Sequence, residues 1–232
     1  MKLALLGDVH GNHLALRAVL SAATRHGVEG LLVTGDLVGY YSWPKEVLEM
    51  LAPWSLHVVR GNHEVMLAPA RQDPGYLRRI DEKYGNGLRV ALDSLVPAQL
   101  HWLENLPHPL RLELGGCQIL LCHGAPWDMD CYIYPDAAVS LLERCASEGA
   151  DIVILGHTHH AFQARCGRTL VVNPGSVGQP RDRQPGAAWA LLDTATREVT
   201  PFRENYDIAQ VVAHARLAQP AVPYLAEVLC RI

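Results

Sequence analysis

Five short polar segments, each beside a glycine, follow apolar runs along this chain. They read Gly7-Asp8-Val9-His10-Gly11, Gly35-Asp36, Gly61-Asn62-His63-Glu64, His123-Gly124 and Gly156-His157-Thr158-His159. In the first half the apolar runs lie at residues 2–6, 31–33 and 56–59. Between them stand helical patterns: Leu14, Leu16, Val19, Leu20 and Ala23 within 13–26, then a helix opened by Pro44 with Val47, Leu48 and Leu51 on its buried face. Strands separated by helices imply a parallel sheet covered on both faces. In such sheets ligands bind outside the carboxyl ends of the strands. Asp8 and His10 follow the first strand, Asp36 the second, Asn62 and His63 the third. The pattern therefore predicts an α/β fold with its polar segments gathered at one end of a sheet.

Residues 68–107 differ in character. They carry Pro69, Pro74, Gly75, Gly85, Gly87 and Pro97, with helical runs near 76–84, 86–95 and 98–105. This helical segment is expected to lie over the site or to flank it. Strands return at 110–114 and 117–122, split by a Gly115-Gly116 hairpin signal. A helix over 136–148, a buried strand over 151–155 and strands at 161–166, 169–172, 187–193 and 198–204 follow. Helices near 207–218 and 222–230 close the chain. With no internal repeat or linker, residues 1–232 read as one domain.

Composition excludes several functions. Apolar residues make up 49% and charged residues 19% of 232, an ordinary globular balance. The net charge of −4 and the absence of a Lys/Arg run give no support to a nucleic-acid polymer as partner. No stretch approaches the ~20 apolar residues of a membrane span, and the apolar start is too short for a signal peptide. Six cysteines without CxxC pairs read as free thiols in a cytoplasmic protein.

The chemistry lies in the side-chain set. Asp8, His10, Asp36, Asn62, His123, His157 and His159 offer oxygen and imidazole donors without thiolates, which suits Mn, Fe, Zn or Ni. Two close divalent ions need about seven or eight such ligands, at least one a bridging carboxylate, and Asp36 is the candidate bridge. On an extended strand end, positions i and i+2 point the same way, so Asp8 with His10, and His157 with His159, can each reach one ion. His63, next to Asn62, points elsewhere; an imidazole of pKa near ~6.5 can protonate a leaving alkoxide. Singly, each segment is also an ordinary turn, cap or structural histidine. The ordered set is the signal.

These motifs resemble the calcineurin-like metallophosphoesterases, over residues 2–193. Gly35-Asp36-Leu37-Val38-Gly39-Tyr40 and Asn173-Pro174-Gly175-Ser176-Val177-Gly178-Gln179-Pro180-Arg181 look closest to the small prokaryotic phosphodiesterase branch. The resemblance implies a four-layer α-β-β-α sandwich with mixed sheets. It also implies two metals, one on Asp8, His10, Asp36 and His159, the other on Asp36, Asn62, His123 and His157. A hydroxide bridging them would attack phosphorus, with His63 as general acid and Glu64 orienting His63. Arg60, in Arg-Gly-Asn-His-Glu, resembles an arginine that grips phosphate; a surface arginine is the alternative. Residues Asn173–Gly178 either line the pocket with backbone N–H groups or form a Pro-Gly turn. Trp127, Tyr132 and Tyr134 either stack on a base or aryl leaving group or serve packing. His13 and His160 are expected outside the ligand set.

The resemblance implies a phosphodiesterase acting on a small-molecule phosphoester, with nucleotides within its range. A phosphomonoesterase or Ser/Thr protein phosphatase is the alternative, disfavoured because Gly39-Tyr40 stands where the protein phosphatases carry Asp-Arg. A metal-binding scaffold without catalysis is the third reading. Oligomeric state stays open, since the apolar run from Val222 to Ile232 could pack on the core or across an interface.

Overall fold

The computed structural model describes residues 1–232. Its first sheet is built from β1 (Lys2–Leu6), β2 (Gly30–Val33), β3 (Leu56–Val58), β9 (Ala187–Asp193) and β10 (Glu198–Glu204), in the order β10-β9-β1-β2-β3. Strands β1, β2 and β3 run parallel, joined through α1 (His13–Arg25) and α2 (Pro44–Leu51) as the apolar spacing predicts. β9 runs antiparallel to β1 and pairs with β10. The second sheet has the order β4-β5-β6-β8-β7, from β4 (Leu110–Leu114), β5 (Cys117–Leu121), β6 (Ile152–Ile154), β7 (Phe162–Cys166) and β8 (Thr169–Asn173). The Gly115-Gly116 hairpin forms, with Leu114 opposite Cys117. β5, β6 and β8 are parallel neighbours.

Side-chain alternation explains the layering, because successive residues of a strand face opposite sides. Leu3, Leu5 and Leu32 of the first sheet meet Ile119, Leu121, Ile152, Ile154 and Val172 of the second in a closed apolar seam. Their neighbours Ala4, Leu6, Leu31 and Val33 face α1, α2 and the helices that follow β3. On the far side, Leu120, Val153 and Val171 pack against Leu142 and Cys145 of α7 (Val139–Ala146). The result is the four-layer sandwich of mixed sheets and helices.

The helical segment starts earlier than its prolines suggest. α3 runs Asn62–Gln72, followed by α4 (Pro74–Tyr84), α5 (Gly87–Ser94) and α6 (Pro97–Glu104). Glu64 accepts the Gly61 N–H at 2.9 Å and nucleates α3 directly after β3. Pro69 sits inside α3, where the carbonyl it leaves unpaired belongs to the exposed Val65. Leu67, Ile80, Leu88, Ala91 and Leu103 pack these helices on the first sheet, so the segment flanks the site. The helix expected over 136–148 is shorter, and the one expected over 222–230 splits into α9 (Tyr224–Glu227) and a 3-10 turn at Val228–Cys230. That run packs on the body of the chain: Leu225, Ala226, Val228 and Leu229 are buried with Tyr40, Tyr41 and Val211 and Val212 of α8 (Ile208–Ala218). All six cysteines are free. No helix is long and apolar enough to cross a membrane.

The seam makes a direct prediction. Leu32 is fully buried between the sheets, so Leu32→Ala is expected to lower stability by about 2–5 kcal/mol in urea unfolding. A loss under ~1 kcal/mol would contradict a closed seam at β2.

Candidate active site

All six parallel strands end at one rim of the sandwich, and the polar segments follow those ends. Asp8 and His10 lie after β1, Asp36 after β2, Asn62 and His63 at the start of α3, His123 after β5, and His157 and His159 after β6. The extended geometry expected for the two i, i+2 pairs is absent. Asp8, His10, His157 and His159 all adopt left-handed backbone, with φ of 46°, 51°, 67° and 61°, as does Asp36 at 52°. The chain must turn sharply after each strand, and left-handed residues make that turn while driving the side chains inward. Non-glycine residues accept such φ values at about 1 kcal/mol or more each. Their concentration here marks the rim as the functional region.

The structure brings the seven expected ligands together in two groups. In one, His10 Nε2 lies 3.1 Å from His159 Nε2, and Asp8 Oδ1 lies 3.5 Å from His159 Nε2. In the other, His123 Nε2 lies 2.9 Å from Asn62 Oδ1 and 3.1 Å from His157 Nδ1. Asp36 stands between them: its Oδ2 is 3.6 Å from His10 Nε2 and 3.5 Å from His123 Nε2. Asp8, His10, Asp36, His123 and His159 are all buried.

The hydrogen bonds behind the rings reveal what this centre is for. His10, His123 and His159 each turn Nδ1 to a backbone carbonyl, that of Val38 at 3.1 Å, Thr34 at 2.7 Å and Gln179 at 2.7 Å. A carbonyl only accepts, so each Nδ1 carries the proton and each Nε2 presents a lone pair inward. Acceptors then face acceptors: Nε2 against Nε2, and Nε2 against carboxylate. Asp8 Oδ2 is buried without a hydrogen-bond partner. Such a set is satisfied by cations, or by protons on the carboxyls where no cation is bound, and the same backing of ligand imidazoles is typical of metal sites. The residues thus fit divalent metal binding. Burial, with Glu64 nearby, pushes Asp8 up to about 8, and burial with Glu64 and Asp8 pushes Asp36 well above the usual carboxylate range, while burial with the neighbouring histidines holds His10, His123 and His159 well below the usual imidazole range. Metal binding would return both carboxylates to their charged form.

Three expected roles come out differently. Glu64 does not touch His63. Its carboxylate accepts N–H groups from Asp36 (2.8 Å), Leu37 (2.8 Å), Val38 (3.3 Å) and Gly61 (2.9 Å), so it braces the loop that carries Asp36. A carboxylate three residues into a helix reaches back to free N–H groups, and here a second loop supplies most of them. Arg60 donates from Nη1 to the Glu104 carbonyl at 2.8 Å, closing the end of α6 rather than lining the cavity. The Asn173–Gly178 segment spends its N–H groups on the Asp8 loop: Val177 on Gly7 (2.8 Å) and Gly178 on Asp8 (3.0 Å), with Ser176 Oγ donating to the same Asp8 carbonyl at 2.7 Å. It clamps that loop.

His63 lies at the site. Its backbone N–H donates to Asp36 Oδ1 at 2.9 Å, and its ring centroid is 4.7 Å from His10 and 4.8 Å from Tyr40. Its Nδ1 is buried without a partner and abuts Gly39, where any Cβ would overlap it. A cavity of about 30 Å³ opens over the centre, lined by Asp36, Tyr40, Asn62, His63, Tyr84, Tyr132, His157, His159 and Arg181. The sequence motifs assign no role to Tyr40, Tyr84 or Arg181; a cationic end on the Asn173–Arg181 motif is the signal that points to Arg181. Trp127 is covered by the Arg144 guanidinium, 3.7 Å from its ring, and serves packing. His13 stacks on Trp43 at 4.9 Å, and His160 binds the Thr158 carbonyl at 2.8 Å, so both stand outside the ligand set.

The brace predicts a metal phenotype. Glu64→Gln puts N–H groups against N–H groups under Asp36, and metal affinity is expected to fall by about 10–100-fold. A metal titration followed by calorimetry reads this; unchanged affinity would remove Glu64 from the support of Asp36.

Comparison with known proteins agrees with the geometry. The family model for the calcineurin-like phosphoesterase superfamily domain matches residues 1–197. The phosphodiesterase YfcE of Escherichia coli is 26% identical, over 91% of this chain and 97% of its own. The crystal structure of a metallophosphoesterase from Sphaerobacter thermophilus superposes with a TM-score of 0.75 at 26% identity, covering 100% of this chain and 98% of that one. That of a hypothetical protein from Pyrococcus horikoshii superposes with a TM-score of 0.87 at 24% identity, covering 99% and 98%, and shares the fold. Taken with the ring of donors at the strand ends, the match over residues 1–197 means that the chain belongs to the calcineurin-like phosphoesterase superfamily, a family of phosphoric ester hydrolases.

Proposed function

We propose that this protein is a phosphodiesterase that works with two divalent cations, drawn from Mn, Fe, Ni and Zn. The observation that carries this reading is the shared oxygen: Asp36 Oδ2 faces both His10 Nε2 and His123 Nε2, at 3.6 and 3.5 Å, between two groups of inward lone pairs. Asp8, His10, Asp36 and His159 would hold one cation, and Asp36, Asn62, His123 and His157 the other. When bound, the cations would supply an activated water and neutralise the phosphoryl oxygens. The chain's own groups do the rest. His63, beside the centre with neither ring nitrogen bonded in the protein, would donate a proton to the departing ester oxygen once the substrate's negative charge raises the ring from about 3, where burial, Arg181 and His157 hold it. Tyr40 and Tyr84 wall the ring at 4.8 and 5.4 Å and limit its rotation.

The relative YfcE, called a phosphodiesterase, supports a diester over a monoester. The rim supports a planar leaving group, which favours nucleotides within the proposed substrate range. Tyr132 and Tyr134 stack at 5.9 Å with 13° between planes, and Tyr132 lies 4.1 Å from the His157 ring. Both tyrosines are exposed, 51% and 40%, so packing does not account for them.

Two experiments test the reading. Protein stripped with chelator and restored singly with Mn, Fe, Ni or Zn is expected to hydrolyse an aryl or nucleoside phosphodiester faster than its monoester. Faster monoester turnover with every metal would favour a phosphomonoesterase, and no turnover in protein holding two metals would favour a binding scaffold. His63→Ala is expected to lower kcat by about 10²–10⁴-fold with metal content unchanged; equal rates would withdraw its role as proton donor.

A further inference from the structure

Arg181 is the one Lys or Arg side chain lining the cavity over the metal-binding groups. Its guanidinium is held by neutral oxygens alone. Nε and Nη2 donate to Gln179 Oε1 at 3.2 and 3.0 Å, and Nη2 donates to the Tyr40 hydroxyl at 3.0 Å. Nη1 makes no hydrogen bond within the protein. The carboxylates within its field, Asp8 and Asp36, face histidines instead. A partly buried arginine without a carboxylate partner keeps an uncompensated charge, which is costly unless an anion arrives to share it.

The holders of Arg181 are themselves fixed. Gln179 is fully buried, and its carbonyl accepts from His159 Nδ1 at 2.7 Å, so one residue orients both a ligand imidazole and the guanidinium. Tyr40 is buried, in left-handed backbone at φ 49°, and its carbonyl accepts from Gln219 Nε2 at 2.7 Å. The arginine is therefore pre-set at the cavity wall with the two N–H groups of Nη1 unspent. These charged donors suit a phosphoryl oxygen, and exchange of the neutral Tyr40 hydroxyl for a second phosphoryl oxygen on Nη2 would complete a fork.

We propose that Arg181 is the cation that grips the phosphoryl oxygens of the substrate, the task the sequence motif suggested for Arg60. The inference rests on the phosphoester reading of the same site. Arg60, committed to the Glu104 carbonyl, is the natural control.

Inorganic phosphate is titrated calorimetrically into manganese-restored wild type, Arg181→Gln, Arg181→Lys, Arg181→Ala and Arg60→Gln, with metal content measured in each. Arg181→Gln is expected to weaken phosphate binding about tenfold or more, Arg181→Lys less, and Arg60→Gln not at all. Added guanidinium ion is expected to restore part of the affinity of Arg181→Ala, which a merely structural arginine would not allow. Wild-type phosphate affinity in Arg181→Gln at equal metal content overturns the inference. So does a loss that neither lysine nor guanidinium recovers and that comes with a lowered melting temperature. Phosphate binding that depends on Arg181, in a wild type that hydrolyses no phosphoester, overturns the hydrolytic reading and leaves the grip of Arg181 standing.

Discussion

The centre of this protein depends on holding hydrogen-bond acceptors against one another. His10 and His159 meet Nε2 to Nε2 at 3.1 Å, and Asp36 Oδ2 sits between imidazoles that also point lone pairs at it. Without a cation or a proton between them, these groups repel. They are kept in place from behind, by carbonyls of Val38, Thr34 and Gln179 on the imidazoles and by backbone N–H groups on the carboxylates. His63 N–H binds Asp36 Oδ1, and His157 N–H binds Asp8 Oδ1. Two sets of loops from two sheets thus fix each other's ligands, and the energy for this comes from the apolar seam that closes the sheets.

Bracing continues outward in layers. Glu64 gathers four N–H groups under the Asp36 loop, and Ser176 with Gly178 clamps the Asp8 carbonyl. The C-terminal helices bury Tyr41, whose hydroxyl donates to the Leu225 carbonyl at 3.0 Å, and so steady the neighbouring Tyr40. The left-handed residues are affordable because each lies inside such a net. A strained turn in a loose loop would relax and take its ligand out of the centre.

Much of this was legible in the chain. The alternation of apolar runs and helical patterns predicted the parallel strands, and each ligand stood directly after one of them. The gathering of these donors was legible because a strand end places its next residues at the rim whatever the rest of the fold does. Arg60 and Glu64 misled for one reason: neighbours in sequence at a helix start diverge in space. Arg60 turns to α6, 44 residues away, and Glu64 turns to the 36–38 loop. Pro69 hid the true start of the helical segment because a proline is tolerated where the orphaned carbonyl is exposed.

The sequence by itself determined the parallel strands of the first half, the family, and which side chains could meet metal. These follow from local periodicity and from residue chemistry, which are carried by short windows. Tertiary structure alone decided how those side chains meet: the left-handed turns, the bond from Glu64 to the Asp36 loop, and the withdrawal of Arg60 from the site. It also placed Arg181 at the cavity through Tyr40, 141 residues away. Such contacts join loops from distant strand ends, and only the closure of two sheets over one seam sets their distances.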